Sequence, residues 1–385
     1  MNGVQITTPF EKLEAEGGKY EEIKNATKAG VDIKTDVTND SDTEATGVSV
    51  KSTVYNKEGD VVSTQTDDIT VAAGKTETIS QSVDVANPKL WSVDSPNLYW
   101  VRTEIIQNGK VVDSTDSRFG IRYIATDPNS GFYLNGVHTK LNGVCEHSDL
   151  GSLGMETYQA AVDRRIRTLK KYGVNAIRTS HNPVSPEFIE ACDRLGMLVF
   201  EEAFDQWLYS KNSDDYHNYF NKAADGKTVV FDKAGNDNTN NDTSYIEVKR
   251  DDLQSNAERD IKAMVERDKN APCIFAWSTG NEIYDARYKH GENTLDMLTG
   301  WIKEIDTTRP VAACPPTWDN YWANNAQQEK TRTLMEYKLE ELTKRVNEHN
   351  NLIKRTYALE EKMSVHEEQI KVANHRIEDL ERKGE

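Results

Sequence analysis

A chain of 385 residues is long enough for two or more domains with separate cores. Its 36% hydrophobic and 29% charged content, with no run near the ~20 apolar residues of a membrane helix, argues for a soluble protein and against a membrane partner. The net charge is −17, and residues 327–385 carry 12 Lys and Arg against 13 Asp and Glu, so the acidity sits almost wholly on residues 1–326 and speaks against nucleic acid.

Residues 1–126 read as an immunoglobulin-like β-sandwich. The segments V-D-I-K-T-D-V-T-N, V-S-V-K-S-T-V-Y-N, I-S-Q-S-V-D-V and Y-W-V-R-T-E-I-I alternate apolar and polar residues. Turn signals at Asn39-Asp40, Glu58-Gly59-Asp60, Ala73-Gly74 and Asn108-Gly109 separate about seven such strands. Trp91 is expected to pack at the core or an interface.

Residues 127–326 change pattern. Strand-like runs at 140–145, 175–178, 198–201, 273–277 and 311–314 alternate with helix-period stretches at 157–172, 186–195, 253–267 and 294–305. Ser185-Pro186 is a helix start. This alternation predicts a parallel (β/α)8 TIM barrel of which four units and a fifth strand are visible. A polar insertion, roughly 210–249, predicts a mobile surface loop near the site.

Residues 327–385 contain no Pro and one Gly, Gly384. Heptad spacing through Met335, Leu339, Leu342, Val346 and Ile353, then Leu359, Met363, Ile370, Ala373, Ile377 and Leu380, predicts a coiled-coil helix, with a stammer after Thr356. Such a stripe cannot be buried alone, so a homo-oligomer through residues 335–380 is expected. The cysteines, Cys145, Cys192, Cys273 and Cys314, form no C-x-x-C pair and are expected as buried free thiols. With no secretory signal in residues 1–10, the expected location is cytoplasmic.

Strand ends of a barrel converge on one mouth. They would bring together Glu146, His147 and Asp149; Arg178, His181 and Asn182; Glu201, Glu202, Asp205 and Trp207; and Asn281 with Glu282. Carboxylates, histidines, an arginine and an aromatic in one mouth suit sugar recognition and acid–base chemistry. Glycosidic cleavage needs a proton for the leaving oxygen and a carboxylate for the oxocarbenium-like centre. Glu282 in a partly dry mouth suits the first task, and Asn281 suits a sugar 2-hydroxyl.

The segments N-A-I-R-T-S-H-N-P and N-A-P-C-I-F-A-W-S-T-G-N-E, together with L-N-G-V-C-E-H-S-D-L-G-S-L-G, G-M-L-V-F-E-E-A-F-D-Q-W and F-G-I-R, resemble the signatures of glycoside hydrolase family 2, the β-galactosidase and β-glucuronidase family, in the right order over residues 119–318. The resemblance implies retaining hydrolysis of terminal β-galactosides, with Glu282 as general acid/base and Asn281 on the 2-hydroxyl. His147, Asp149, His181 and Glu202 would bind the sugar, and Arg178 would orient the nucleophilic glutamate. The D-L-G-S-L-G wording leans toward galactoside over glucuronide.

The family's N-terminal jelly roll and barrel strands six to eight are not found, and with them the nucleophile. A truncated chain, inactive by itself, is therefore expected. No cofactor or metal is expected, since Trp207 stands where the family's magnesium site offers a histidine. The run E-E-Q-I-K-V-A-N-H-R-I-E-D-L-E resembles short phage coiled-coil proteins of the haemolysin type, which suggests a fusion near Asn325. Two rival readings are a non-catalytic carbohydrate-binding or scaffold protein oligomerised by its tail, and a degenerate gene product.

Overall fold

The computed structural model describes residues 3–207, 256–283 and 289–314, with the single residues 285 and 371. The chain divides into two units, Met1–Thr317 and Trp318–Glu385, and every strand among the described residues belongs to the first. The insertion expected at 210–249 lies outside the described residues, as does the coiled coil expected over 327–385 save for Lys371, which is helical. No helix among the described residues is long and apolar enough to cross a membrane.

The front of the chain forms two antiparallel sheets. Strands β1 (Val4–Thr7), β2 (Leu13–Gly18), β3 (Glu21–Asn39) and β6 (Lys75–Ala86) make one, with β3 pairing all the others. Strands β4 (Ala45–Tyr55), β5 (Val61–Val71), β7 (Tyr99–Gln107) and β8 (Lys110–Phe119) make the other, in the order β5-β4-β7-β8. Alternation along β3 turns Val31 and Ile33 inward, where they meet Val54, Val83, Val85 and Val101 in one core. The expected strands are therefore present. Strands β5 and β8, which carry no clear apolar alternation, are the edges of their sheet; β5 alternates exposed with half-buried residues along most of its length, and most of β8 is exposed.

A small three-stranded sheet, β9 (Ile124–Asp127), β10 (Gly131–Leu134) and β11 (Val137–His138), leads to the parallel part. There β12 (Gly143–His147), β13 (Ala176–Ser180), β14 (Leu198–Glu202), β15 (Ile274–Asn281) and β16 (Val311–Cys314) pair in sequence order, all parallel. Helices α1 (Gln159–Lys171), α2 (Pro186–Leu195), α3 (Asn256–Asp268) and α4 (Lys289–Ile305) lie between the strands. The start of α2 follows the expected chemistry: Ser185 Oγ accepts from Phe188 N and Pro186 opens the helix. Its end uses Gly196 at φ 73°, where a Cβ would meet Val93 O at 2.2 Å.

Trp91 joins sandwich to barrel. It is fully buried, its Nε1 donates to Asp193 O at 2.8 Å, and its carbonyl accepts from Asn135 Nδ2 at 2.9 Å. The Asp193 carboxylate in turn accepts from Arg118 Nη2 at 2.8 Å and Cys273 N at 2.9 Å. Lys170 Nζ caps three carbonyls at the same seam, those of Val93, Leu195 and Gly196. The thiol expectation needs one correction: Cys192 and Cys273 are buried, but Cys145 is exposed. Its strand, β12, pairs only with β13 among the described residues and is packed less deeply than the strands between.

Candidate active site

Parallel pairing brings the C-terminal tips of β12 to β15 to one end of the sheet, as the strand-end residues predicted. Arg178, from β13, organises them. Its guanidinium meets the Glu202 carboxylate of β14 at two points, Nε and Nη2 to Oε2 at 3.0 and 2.8 Å, and Nη2 also donates to Asn281 Oδ1 of β15 at 2.7 Å. His181 Nδ1 lies 2.7 Å from Glu202 Oε1, and Ser278 Oγ donates to Glu202 Oε2 at 2.7 Å. Asn281 is clamped from its other side, since Nδ2 donates to Asp205 Oδ1 at 2.9 Å. Its amide is thereby held in one orientation between a cation and a carboxylate.

Glu202 was expected at the sugar. The structure buries it completely, with Arg178, His181 and Ser278 on its oxygens and Thr179 Oγ1 accepting from its backbone N–H at 2.9 Å. It is placed to hold Arg178 and His181, which are only partly buried. Its neighbour Glu201 points to the opposite face of the sheet, because side chains alternate along a strand. There it meets Arg267 at 3.1 Å, and burial, followed by the adjacent Asp268, holds its carboxyl well above the usual range.

His147 stacks edge-on to His181, ring centroids 5.2 Å apart, and so belongs to the cluster. Asp149 stands to one side: its carboxylate accepts from Gly151 N at 3.0 Å, and its carbonyl from Arg165. Arg165 also pairs with Glu146 at 2.9 Å, while burial raises the Glu146 carboxyl against that pull.

Glu282 comes directly after Asn281 and is exposed, in the left-handed region at φ 48°. A non-glycine residue there carries strain on the order of 1 kcal/mol. The turn is fixed from below. Trp207, fully buried, donates from Nε1 to Thr279 O at 2.7 Å, and a Cβ at Gly280 would lie 2.9 Å from that indole nitrogen and 2.4 Å from Ile283 Cδ1. Ser278 and Thr179 are the supporting residues that motif reading passed over, and Trp207, expected in the mouth itself, lies beneath it. The signal available was a polar residue inside an apolar strand. Among the described residues no three of His, Cys, Asp and Glu gather as a metal ion would require.

Two family descriptions match this arrangement. Residues 126–367 match "Glycosyl hydrolases family 2, TIM barrel domain" and residues 19–122 match "Glycosyl hydrolases family 2". The chain belongs to glycosyl hydrolase family 2. The barrel match runs on into the stretch where a coiled coil was expected. Among curated family members, the β-galactosidase BoGH2A of Bacteroides ovatus is 33% identical over 317 residues, 74% of this chain and 33% of the relative. A putative β-glucuronidase of Formosa agariphila is 36% identical over 230 residues, 60% of this chain and 18% of that protein. The crystal structure of a family 2 member from Bacteroides cellulosilyticus superposes with a TM-score of 0.66 at 32% identity, covering 83% of this chain and 35% of that one. The chain thus spans about a third of the length of BoGH2A and of that structure.

Proposed function

We propose that the strand-tip cluster is the sugar-binding and proton-donating half of a retaining β-glycosidase site of the β-galactosidase type. The observation that carries this reading is the clamp on Asn281, held by Arg178 and Asp205 immediately before Glu282. In this reading Glu282 protonates the leaving oxygen and Asn281 presents its remaining amide hydrogen to the 2-hydroxyl. His147, His181 and Asp149 line the sugar. Arg178 orients the nucleophilic carboxylate, and Glu202 keeps Arg178 and His181 in place. A β-glucuronidase-type specificity is the second reading, favoured by the 36% identity to the Formosa protein.

A retaining mechanism needs a second carboxylate about 5–5.5 Å from the first. Beyond Glu282 the sequence offers no match to the family's nucleophile segment, so the 385-residue polypeptide is expected to turn over little or no substrate by itself. The domain reading stands with this proposal: a sandwich over 1–126, barrel sequence over 127–326, and a self-associating coiled coil over 327–385. That last segment, its fusion origin and a cytoplasmic location rest on sequence pattern alone.

The test pairs ligand NMR with a rate assay. Saturation transfer to methyl β-galactoside, stronger than to methyl β-glucuronide and abolished by Arg178→Ala, is the expected result. No transfer to either sugar from the folded chain would overturn the site. Chromogenic β-galactoside hydrolysis at ordinary enzyme rates, lost in Glu282→Gln, would overturn the expected inactivity and keep the assignment of Glu282.

A further inference from the structure

A second concavity lies at the opposite end of the parallel sheet. It is separated from the strand tips by the length of β15, 8 residues or roughly 25 Å at ~3.3 Å per residue. The connection out of the sandwich forms one wall. Gly120 lets that connection press onto the barrel, since a Cβ there would lie 2.8 Å from Pro272 Cβ and 3.0 Å from Trp91 Cβ. Arg122 lies two residues on. It is 9% exposed, and its Nε and Nη2 donate to the carbonyls of Pro272 and Ile274 at 2.5 and 2.7 Å. Its Nη1 makes no hydrogen bond among the described residues. Tyr123 comes next, 6% exposed, with a buried hydroxyl that has no partner among the described residues.

Both side chains line a crevice of about 510 Å³, within the ~300–1,000 Å³ typical of small-molecule sites. A buried polar group normally finds a partner, so the unpartnered Tyr123 hydroxyl on this cavity wall, next in sequence to the Arg122 guanidinium, points to a missing ligand. The charges around them set the sign of that ligand. Lys269 and Arg309 also line the crevice but are matched by Glu266 and Asp306. Lys19 and Lys34, both exposed, have no ion pair among the described residues, and with Arg122 they face one acidic lining residue, Glu11. An excess of unmatched cations is notable in a chain of net charge −17. Burial, and then the neighbouring Arg309, brings the Arg122 guanidinium down to about 9, the response of a cation short of a counter-charge. An apolar wall completes the site: Phe10 packs edge-on against Tyr123 at 5.4 Å, with Lys19 Nζ 5.5 Å above its ring.

We propose that this crevice binds a small organic anion, a phosphate or carboxylate carried on an apolar body, at a site separate from the strand tips. The anionic group sits against Arg122 and the Tyr123 hydroxyl, and the apolar body lies along Phe10. The site stands independently of the glycosidase reading, because it shares no residue with the strand-tip cluster.

Isothermal titration of the purified full chain tests it, with phenyl phosphate and phenylacetate as the two anions and benzyl alcohol as the neutral control. The expected result is saturable one-to-one binding of at least one anion and none of the alcohol. Lys34→Glu and Lys19→Glu should each weaken the binding at least tenfold, and methyl β-galactoside should not displace it. Arg122→Gln also removes the donor to the Pro272 carbonyl and one of the two donors to the Ile274 carbonyl, so the two exposed lysine variants carry the decision if that protein unfolds. Failure of both anions to bind the folded chain would overturn the proposal. So would binding that both lysine variants leave within twofold, or that the galactoside displaces.

Discussion

Arg178 reaches Asn281 from two strands away, and the same nitrogen that donates to Asn281 Oδ1 at 2.7 Å also donates to Glu202 at 2.8 Å. One guanidinium therefore ties the tips of three consecutive parallel strands. Arginine suits this position because its fork of donors is planar and rigid, so fixing it on Glu202 fixes its reach to Asn281 as well.

Loss of the Glu202 charge should be felt as stability first. Glu202→Gln leaves Arg178 without its buried counter-ion, and a broken buried pair typically costs about 3–5 kcal/mol. Urea unfolding should show a loss of that order. A loss under ~1 kcal/mol, the range of an exposed pair, would mean that solvent, and not Glu202, carries the Arg178 charge.

Glu282 should behave in the opposite way. At φ 48° glycine is relieved of strain that glutamate bears, so Glu282→Gly should raise stability by roughly 1 kcal/mol while removing the proposed proton donor. Thermal unfolding of the variant beside Glu282→Gln, whose backbone preference resembles glutamate, separates conformation from charge.

Gly280→Ala should destabilise by about 1–3 kcal/mol, because the added methyl overlaps both Ile283 and the Trp207 indole. In a double-mutant cycle with Trp207→Phe the two effects should be non-additive, since they share one contact. Additive losses would show that the tip of β15 relaxes without Trp207.

Asp306 gives a pH signature. Burial alone would raise its carboxyl, but Arg309, Thr308 and the Trp277 indole together hold it well below its ordinary 3.8. A depressed carboxylate contributes stability that is present above the unfolded value and lost as pH falls toward the folded one. Asp306→Asn should therefore cost about 3 kcal/mol at pH 7, in line with other broken buried pairs. The gap to the parent chain should narrow below about pH 4, where the unfolded carboxyl begins to take its proton. A gap that stays constant from about pH 7 to pH 3 would remove the ion pair as its cause.

Strand tips were legible because chemistry-bearing residues come directly after short apolar runs, as Asn281 and Glu282 do at the end of β15. The α2 start was legible because Ser185 and Pro186 act through local hydrogen bonding and a fixed φ. Edge strands β5 and β8 were not: polar Ser63, Thr64, Gln65, Thr66, Asp67 and Asp68 fill the middle of β5 on both faces, and most of β8 is exposed. Nor was the seam: Trp91 finds its acceptor on Asp193, 102 residues away, and no local pattern encodes that pairing. The role of Glu202 was misjudged for the same reason. A glutamate in a mouth looks like a sugar ligand until its oxygens are seen to be taken by Arg178, His181 and Ser278.

The two glutamates that end β14 carry identical side chains, and an arginine waits on each face of the sheet, Arg178 on one and Arg267 on the other. Sliding the strand by one residue would exchange their places and leave both charges paired. What tells them apart is phase: side chains alternate along β14, and its unbroken register against β13, Ala176 with Leu198 through Arg178 with Phe200, turns Glu202 to the face of Arg178. The division of labour between Glu201 and Glu202 is thus written in the register of β14 against β13. A one-residue insertion or deletion within β14 ahead of Glu201 would exchange their roles without changing a single charged residue.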